Sequence, residues 1–128
     1  MSYFHIFKSL KIQSQRMCIL TKYLFLIGAI ILEVVGTMIL PLTNNFSKLR
    51  PTLALGFSYL GSFYLLTFAI KVIPLSIVYA TWSGVGVSLV AILSYFFYGD
   101  VLKWPAMLGM CLIVVGVMLV NLFGVSRL

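Results

Sequence analysis

Four long apolar segments, separated by short polar or charged turns, dominate the pattern of this 128-residue chain. Each holds between 19 and 28 residues: Tyr23 to Leu42, Thr52 to Ile70, Val72 to Gly99 and Trp104 to Ser126. An α-helix needs roughly 20 residues to cross a hydrocarbon layer of about 30 Å. The pattern therefore predicts an all-α membrane protein with transmembrane helices at about 23–42, 52–70, 74–98 and 104–123, within a domain of residues 23–126.

The first 22 residues differ from the rest, because they are basic and too polar in places to span a membrane. Apolar residues alternate there with Lys8, Lys11, Arg16 and Lys22, which fits an amphipathic helix lying at the membrane interface. The segment lacks the small-residue cleavage site of a secretory signal. The alternative is that Met17 is the true start and that the preceding residues are not native.

Composition excludes an ordinary soluble domain, since 62% of the residues are hydrophobic and only 9% are charged, against about 25% in globular proteins. A net charge of +7 would by itself suggest nucleic-acid binding, but the positions of the basic residues argue against it. The basic residues lie at the ends of segments and form no patch, so no nucleic-acid partner is expected.

Short turns also require successive helices to run antiparallel.

Orientation follows from the Lys and Arg residues on each side of the membrane. The side of the amino terminus, the second turn and the carboxyl terminus has six: Lys8, Lys11, Arg16, Lys22, Lys71 and Arg127. The other side has three: Lys48, Arg50 and Lys103. The full chain is therefore expected to place its amino terminus in the cytoplasm. A start at Met17 makes the counts equal and allows insertion in both orientations.

Nothing in the sequence indicates an enzyme or a metal site. His5 stands alone near a chain end, and Cys18 and Cys111 lie too far apart in sequence and in membrane depth to indicate a disulfide or a shared metal. There is no Gly-rich phosphate loop and no catalytic triad. We expect no cofactor, no metal and a function carried out within the bilayer.

Glu33 is the only carboxylate within the apolar segments, where a charged side chain costs at least roughly 2.5 kcal/mol. No Lys or Arg lies in any of the four segments to pair with it. It can stay protonated as a hydrogen-bond donor between helices, or it can exchange a proton and bind a cation from outside. Intramembrane acids usually mark ion pathways, so we favour the second interpretation.

Helical spacing indicates what surrounds Glu33. Mostly small residues share its face, which permits close helix approach and leaves a cavity: Ala29, Ile30, Gly36 and Thr37. The second segment presents Tyr59, Ser62, Phe63 and Leu66 on one face, and the third presents Tyr79, Trp82, Ser83 and Gly86. Such stripes are often simple packing, but together with an acid they suit a hydrophobic cation, because aromatic faces attract cations.

Glycines mark two further features. Gly84 and Gly86 lie mid-membrane in the third segment, as a close-packing notch or as a bend with two states. In the fourth segment Gly109, Leu112, Ile113 and Gly116 form a small-residue seam. Spacing alone leaves intramolecular packing and self-association open. Four helices have few ways to enclose an organic cation, which favours self-association into a dimeric bundle.

The chain resembles the small multidrug resistance family of bacterial inner-membrane exporters, in its quaternary-cation branch. The resemblance covers roughly Tyr23 to Leu122 and rests on three runs: Ala29 to Thr37 around Glu33, Pro74 to Gly86 with Tyr-Ala-x-Trp-Ser-Gly-x-Gly, and Pro105 to Gly116. It implies a proton-coupled antiporter of lipophilic cations that works by alternating access as an antiparallel homodimer.

The resemblance also implies roles for particular residues. Glu33 of both subunits would be the carboxylate shared by proton and substrate, and the proton gradient would be the energy source. The remaining roles are a binding chamber at Tyr59, Phe63, Tyr79 and Trp82, a helix bend at Gly84 and Gly86, and a dimer seam at Gly109 and Gly116.

Two positions depart from the family pattern. Pro41 stands where a Lys usually ends the first helix, which removes a loop charge and shortens that helix. Tyr64 stands where the second helix often carries a chamber Trp. The amino-terminal segment has no family counterpart, and a fixed orientation would favour a heterodimer with a paralogue.

Two alternatives to the multidrug antiporter therefore stay open. One is an exporter of polyamines or endogenous metabolites that works as that heterodimer. The other belongs to a different class: a non-transporting membrane subunit, in which Glu33 is a neutral hydrogen-bond donor and the aromatic faces bind a partner protein.

Overall fold

A computed structural model describes residues 2–124 of the chain, which form four α-helices joined by short turns. The elements are α1 (Ser2–Ile39), a 3₁₀ helix (Leu40–Thr43), α2 (Leu49–Ala69), α3 (Leu75–Tyr98) and α4 (Trp104–Phe123). All four α-helices are long and apolar enough to cross a membrane. The predicted all-α membrane architecture with four spanning helices is confirmed. Met1, residues 125–126 of the predicted domain and Arg127 of the charge count lie outside the described residues.

The basic amino-terminal segment is helical and continuous with the first membrane helix, because α1 begins at Ser2 and not near Tyr23. Neither Gly nor Pro occurs between residues 2 and 27, so nothing in this stretch breaks the helix. At about 1.5 Å per residue, the 38 residues of α1 extend about 57 Å, nearly twice the hydrocarbon thickness. Residues 3–21 are exposed and extend beyond the packed bundle.

The carboxyl end of α1 is set by Pro41. The residue before a proline disfavours the α conformation, and α1 ends at Ile39, three residues before the predicted end at Leu42. The chain continues as the 3₁₀ helix, with Pro41 in its first turn. Asn44 and Asn45 then adopt positive φ angles of 48° and 54°, a conformation that Asn tolerates better than most residues, and reverse the chain toward α2.

α1 lies at the centre of the bundle, with α2 and α3 packed against it. The buried core joins one face of α1 to the turn between α2 and α3 and to the start of α3: Leu26, Ile30, Val34, Ala69, Ile73, Ile77 and Val78. Ser62 of α2 is fully buried and donates a hydrogen bond to the Ala29 carbonyl at 2.7 Å. Near the opposite end, the Tyr98 hydroxyl donates to the Met38 carbonyl at 2.5 Å.

α4 packs on α3 and leaves most of its surface open, with no buried residue in the helix. Asn121 Nδ2 donates to Thr81 Oγ1 at 2.8 Å and joins the two helices. Gly84 lets them approach, because a side chain there would collide with Val117. The remaining faces of α4 are apolar and exposed, as expected for a helix that meets lipid or another subunit.

The contact between Ser62 and Ala29 predicts a measurable loss of stability on substitution. Ser62→Ala removes a hydrogen bond between two helices, and such bonds contribute about 0.6–1.7 kcal/mol in membranes. We expect the free energy of unfolding in mixed detergent micelles to fall by that amount, measured by sodium dodecyl sulfate titration with circular dichroism.

Ser88→Ala is the matched control, since the Ser88 hydroxyl donates at 2.8 Å to Gly84 of its own helix. This change should leave the unfolding midpoint nearly unaltered. Equal losses in both variants would contradict a bridging role for Ser62.

Candidate functional site

The Glu33 carboxylate receives a chain of hydrogen bonds from two helices. Thr37, one turn further along α1, donates its hydroxyl to Glu33 Oε1 at 2.8 Å. The Tyr59 hydroxyl of α2 lies 2.7 Å from the same Thr37 oxygen. A Thr hydroxyl has one hydrogen, so while Thr37 donates to Glu33 it accepts from Tyr59. Hydrogen bonds thus run in the order Tyr59 to Thr37 to Glu33, with the carboxyl oxygen as the final acceptor.

Gly86 provides the space for the other carboxylate oxygen. A Cβ atom at position 86 would lie 2.8 Å from Glu33 Oε2, closer than van der Waals contact allows. α3 continues as one uninterrupted helix through Gly84 and Gly86. The close approach of Glu33 thus explains Gly86. The packing of Val117 and Ile113 against α3 explains Gly84.

Three aromatic rings meet at Trp82 on the far side of the carboxylate. Its indole ring lies 5.7 Å from the Phe63 ring and 6.0 Å from the Tyr79 ring, between centroids, in tilted arrangements. Trp82 Nε1 is buried and has no hydrogen-bond partner among residues 2–124. Buried N–H groups are nearly always paired, so this donor can serve a bound molecule or another subunit.

A cavity of about 440 Å³ is lined by the carboxylate and extends to the turn between α3 and α4. Its walls include both acids of the chain and one face of α3: Glu33, Thr37, Trp82, Ser83, Val87, Val90, Ala91, Ser94, Asp100 and Leu102. A second, more apolar cavity of about 320 Å³ lies between α2 and α3, where Phe63 and Tyr79 line it. Trp82 borders both cavities and separates them.

Some residues expected in the chamber lie elsewhere. Ala29 and Ile30 are buried in the core, because one turn before Glu33 the α1 surface is covered by its neighbours. Gly36 packs beneath the Tyr59 ring, 2.7 Å from Tyr59 Cδ2 when measured from an added Cβ. Tyr64 is exposed and meets the edge of the Phe68 ring at 5.1 Å, away from Trp82.

The predicted seam on α4 divides into two parts. Gly109 and Gly116 have open space beside them within the chain, and Leu112 is 64% exposed, so this surface is free for another subunit. Ile113 turns toward Gly84 of α3, where an added Cβ would lie 3.3 Å from Ile113 Cγ2. Self-association at the seam stays a prediction for the three outward residues.

Asp100 is the residue that sequence reasoning missed. It follows the apolar run of α3, outside the four predicted segments, yet it lines the same cavity as Glu33. The signal was present in the spacing: Ser83, Val87, Val90 and Ser94 lie at i, i+4, i+7 and i+11 and form one helix face. That face leads from the Glu33 region to the Asp100 turn.

The chemistry that this arrangement supports is reversible binding of a proton or a cation. No ion pair to Glu33 occurs among residues 2–124, and the same residues hold no group of three potential metal ligands. The carboxylate supplies a negative charge, two hydroxyls orient it, and the aromatic rings provide cation-attracting faces. A carboxylate so placed can hold one positive charge at a time.

Comparison with known proteins identifies relatives of the chain. Residues 21–113 match the family model described as Small Multidrug Resistance protein. The multidrug transporter EmrE of Escherichia coli K12 is 42% identical over 104 residues, which cover 81% of this chain and 94% of that protein. The quaternary ammonium compound-resistance protein QacG of a Staphylococcus strain is 40% identical over 105 residues, 82% of this chain and 98% of its own. The nicotine metabolites export pump subunit NepA of Paenarthrobacter nicotinovorans is 39% identical over 103 residues, 80% and 89% of the two chains.

The contact between Gly86 and Glu33 predicts the effect of adding one methyl group. Gly86→Ala should fold normally, since the flexible carboxylate can move aside, but that movement breaks the bond from Thr37. We expect binding of tetraphenylphosphonium to weaken by at least about tenfold, which corresponds to about 1.4 kcal/mol. Isothermal titration of the detergent-solubilised protein measures the affinity.

Gly56→Ala is the control, because its added methyl meets open space in the chain and Gly56 lies in α2, outside both the cavity and the predicted seam. Its affinity should equal that of the unaltered protein, and both variants should keep their helical circular dichroism. Unchanged affinity in Gly86→Ala would show that the carboxylate position is unimportant for binding.

Proposed function

The chain belongs to the small multidrug resistance family, and from this premise we propose that it exports lipophilic or quaternary organic cations across the bacterial inner membrane in exchange for protons. Relatives that share about 40% identity are named as multidrug transporters and quaternary ammonium resistance proteins. The proton gradient is the only energy source required, and no cofactor enters the cycle.

The observation that carries this proposal is the environment of Glu33. Its carboxylate lies within a spanning helix, lines a cavity, accepts a hydrogen bond from Thr37 and has no ion pair in the described part of the chain. An isolated charge in such a place is costly unless a proton or a cation neutralises it. The same group therefore serves both ligands, but not both at once.

Competition at Glu33 couples the two movements. An organic cation binds when the carboxylate is ionised, with its apolar part against the rings around Trp82. A proton that arrives from the outside neutralises Glu33 and removes the charge that held the cation. The empty ionised site changes sides poorly, because moving an uncompensated charge through the apolar bundle is costly. The site faces the two sides of the membrane in turn, and the proton gradient drives the net export of the cation.

A dimer is part of the proposal, because one chain leaves both its cavity and its fourth helix open. α4 has no buried residue, and Gly109 and Gly116 face open space. A second copy in the opposite orientation would place a second Glu33 near the first, and the outward face of α4 would form the seam. Membrane helices associate through such small-residue faces because close packing replaces the hydrophobic driving force.

A second candidate function is export of polyamines or other endogenous metabolites by a heterodimer with a paralogue. Two points favour it: the expected bias of six basic residues against three across the membrane, and the relative NepA, which is named a nicotine metabolites export pump subunit. A chain held in one orientation cannot form an antiparallel pair with itself. A partner inserted the other way would then complete the cavity.

Substitution of Glu33 tests the coupling. Glu33→Gln keeps the shape of the side chain but cannot ionise, so we expect no proton release when tetraphenylphosphonium is added and no cation-driven proton movement in liposomes. Glu33→Asp keeps the charge on a shorter side chain, so exchange should continue with an altered pH dependence. A pH electrode in weakly buffered detergent solution measures the release.

Ser94→Ala serves as the control for this experiment, because Ser94 borders the cavity but cannot ionise. Its proton release should match that of the unaltered protein. Proton release that persists in Glu33→Gln would contradict the mechanism, and absence of release in every form would favour the non-transporting subunit.

Removal of basic residues from α1 tests the orientation. In the triple variant Lys8→Gln, Lys11→Gln and Arg16→Gln, the two sides of the membrane carry equal numbers of basic residues, so we expect both orientations. The chain without substitutions should insert one way. A single cysteine at exposed Ser47, in a background without Cys18 and Cys111, reports the orientation by labelling intact cells with an impermeant maleimide.

The double variant Lys48→Gln and Lys103→Gln is the control, since it strengthens the original bias and should leave labelling complete. Labelling should fall to about half in the triple variant if the orientations become equal. Complete labelling in the triple variant would remove the argument for a heterodimer.

A further inference from the structure

The cavity that Glu33 lines has a second acid in its wall. Asp100 follows α3 and lines the same cavity, together with the α3 face between the two carboxylates. Glu33 and Asp100 are the only two carboxylate side chains in the sequence. One continuous space therefore holds every acidic side chain of a chain that otherwise carries nine basic ones.

The separation of the two acids follows from α3. Glu33 Oε2 lies against Gly86, and the Ser94 hydroxyl donates a hydrogen bond to Asp100 Oδ2. Eight residues separate Gly86 from Ser94, which is a rise of about 12 Å along the helix. The carboxylates thus lie far enough apart for two different positive charges but within reach of one extended molecule.

The Asp100 carboxylate can bind a ligand while it accepts the hydrogen bond from Ser94. Its hydrogen bond from Ser94 uses one oxygen and orients the group, while no Lys or Arg among residues 2–124 forms an ion pair with it. The backbone amide of Asp100 also reaches the Ser94 carbonyl at 3.4 Å, which holds the turn against the end of α3. Asp100 is exposed, so its carboxylate is accessible to a cation.

The wall between the acids is apolar. Val87, Val90, Ala91 and Leu102 border the cavity over most of the distance from Trp82 to Asp100. These four side chains offer no hydrogen bond to a polar linker, but they suit a hydrocarbon chain. The cavity therefore has a negative charge at each end and an apolar middle.

We propose that Asp100 is a second cation-binding residue, which holds the distal charge of an extended dication while Glu33 holds the proximal one. The inference rests on the proposed export function and specifies its substrate class: molecules with two positive charges about 12 Å apart on an apolar linker. Asp100 thereby distinguishes extended dications from monocations, because a monocation needs only Glu33 and the aromatic rings.

The test compares three trimethylammonium compounds on the full chain in lipid nanodiscs. Octamethylene-bis(trimethylammonium) has nitrogens about 11 Å apart when extended, and so reaches both acids. Octyltrimethylammonium has the same length with one charge. Ethylene-bis(trimethylammonium) has two charges that lie too close together for both sites. Affinities are measured by competition against tetraphenylphosphonium at about 0.15 M salt, where the Debye length is about 8 Å.

Asp100→Asn should weaken binding of the octamethylene dication by about fivefold, the upper range for an exposed ion pair. Binding of the octyl monocation and of the ethylene dication should change by less than about twofold, since neither reaches Asp100. Unchanged monocation binding also shows that the variant folds. Asp100→Glu should retain the dication affinity, because the negative charge remains at that end of the cavity.

Ser94→Ala separates a structural role from ligand binding. It removes the hydrogen bond to Asp100 but leaves the charge, so the dication should lose much less affinity than in Asp100→Asn. Equal losses in these two variants would assign Asp100 to the helix end and overturn the proposal.

The outcomes distinguish this inference from the export function. If the monocation binds in a Glu33-dependent way and Asp100→Asn leaves the dication affinity unchanged, only the role of Asp100 is wrong. If the monocation itself fails to bind, the export function and this inference both fail. A selective loss for the extended dication supports both.

Discussion

A carboxylate in an apolar bundle must be hydrated, paired or protonated, and this requirement constrains every residue around Glu33. Thr37 donates to one oxygen, and Gly86 leaves room for the other. No basic side chain among residues 2–124 pairs with the group. Among the described residues, the protein supplies polar contacts that orient Glu33 but no basic side chain that would neutralise its charge. The proposed occupancy by a proton or a cation would supply the missing positive charge.

The central position of α1 is what makes this arrangement possible. Helices in lipid gain little from the hydrophobic effect between them, so they associate through close packing and hydrogen bonds. On one side of α1, the Ala29 carbonyl accepts from buried Ser62, and Gly36 lies beneath the Tyr59 ring. One turn along the helix from Ala29, the same stripe presents Glu33 to the cavity. Tightly packed positions of α1 thus flank the residue that borders open space.

The chain has two exposed features that place opposite demands on its assembly. The open face of α4, with Gly109 and Gly116, suits association with a second subunit in the membrane. The basic extension of α1, about 57 Å long with the membrane helix included, adds charges to one side and favours a single orientation. An antiparallel pair of identical chains would cover the open face of α4, but it requires one of the two chains to insert against its charge bias. A different partner with the opposite orientation would cover the same face, and both chains would keep their preferred orientations.

The sequence by itself determined the four spanning helices and the family, because hydrophobic length and a contiguous motif are local properties of the chain. It also singled out Glu33 as the lone acid of the apolar segments, whose role stays a prediction. It also indicated that Tyr79 and Trp82 share a face. It did not separate Ala29 and Ile30, which are core, from Thr37, which borders the cavity, since all lie on the stripe around Glu33. Only the tertiary structure decided that Gly86 accommodates a carboxylate and that Asp100 shares its cavity. Those relations depend on how α1 and α3 pack, and helical periodicity specifies which face a residue occupies but not which partner that face meets.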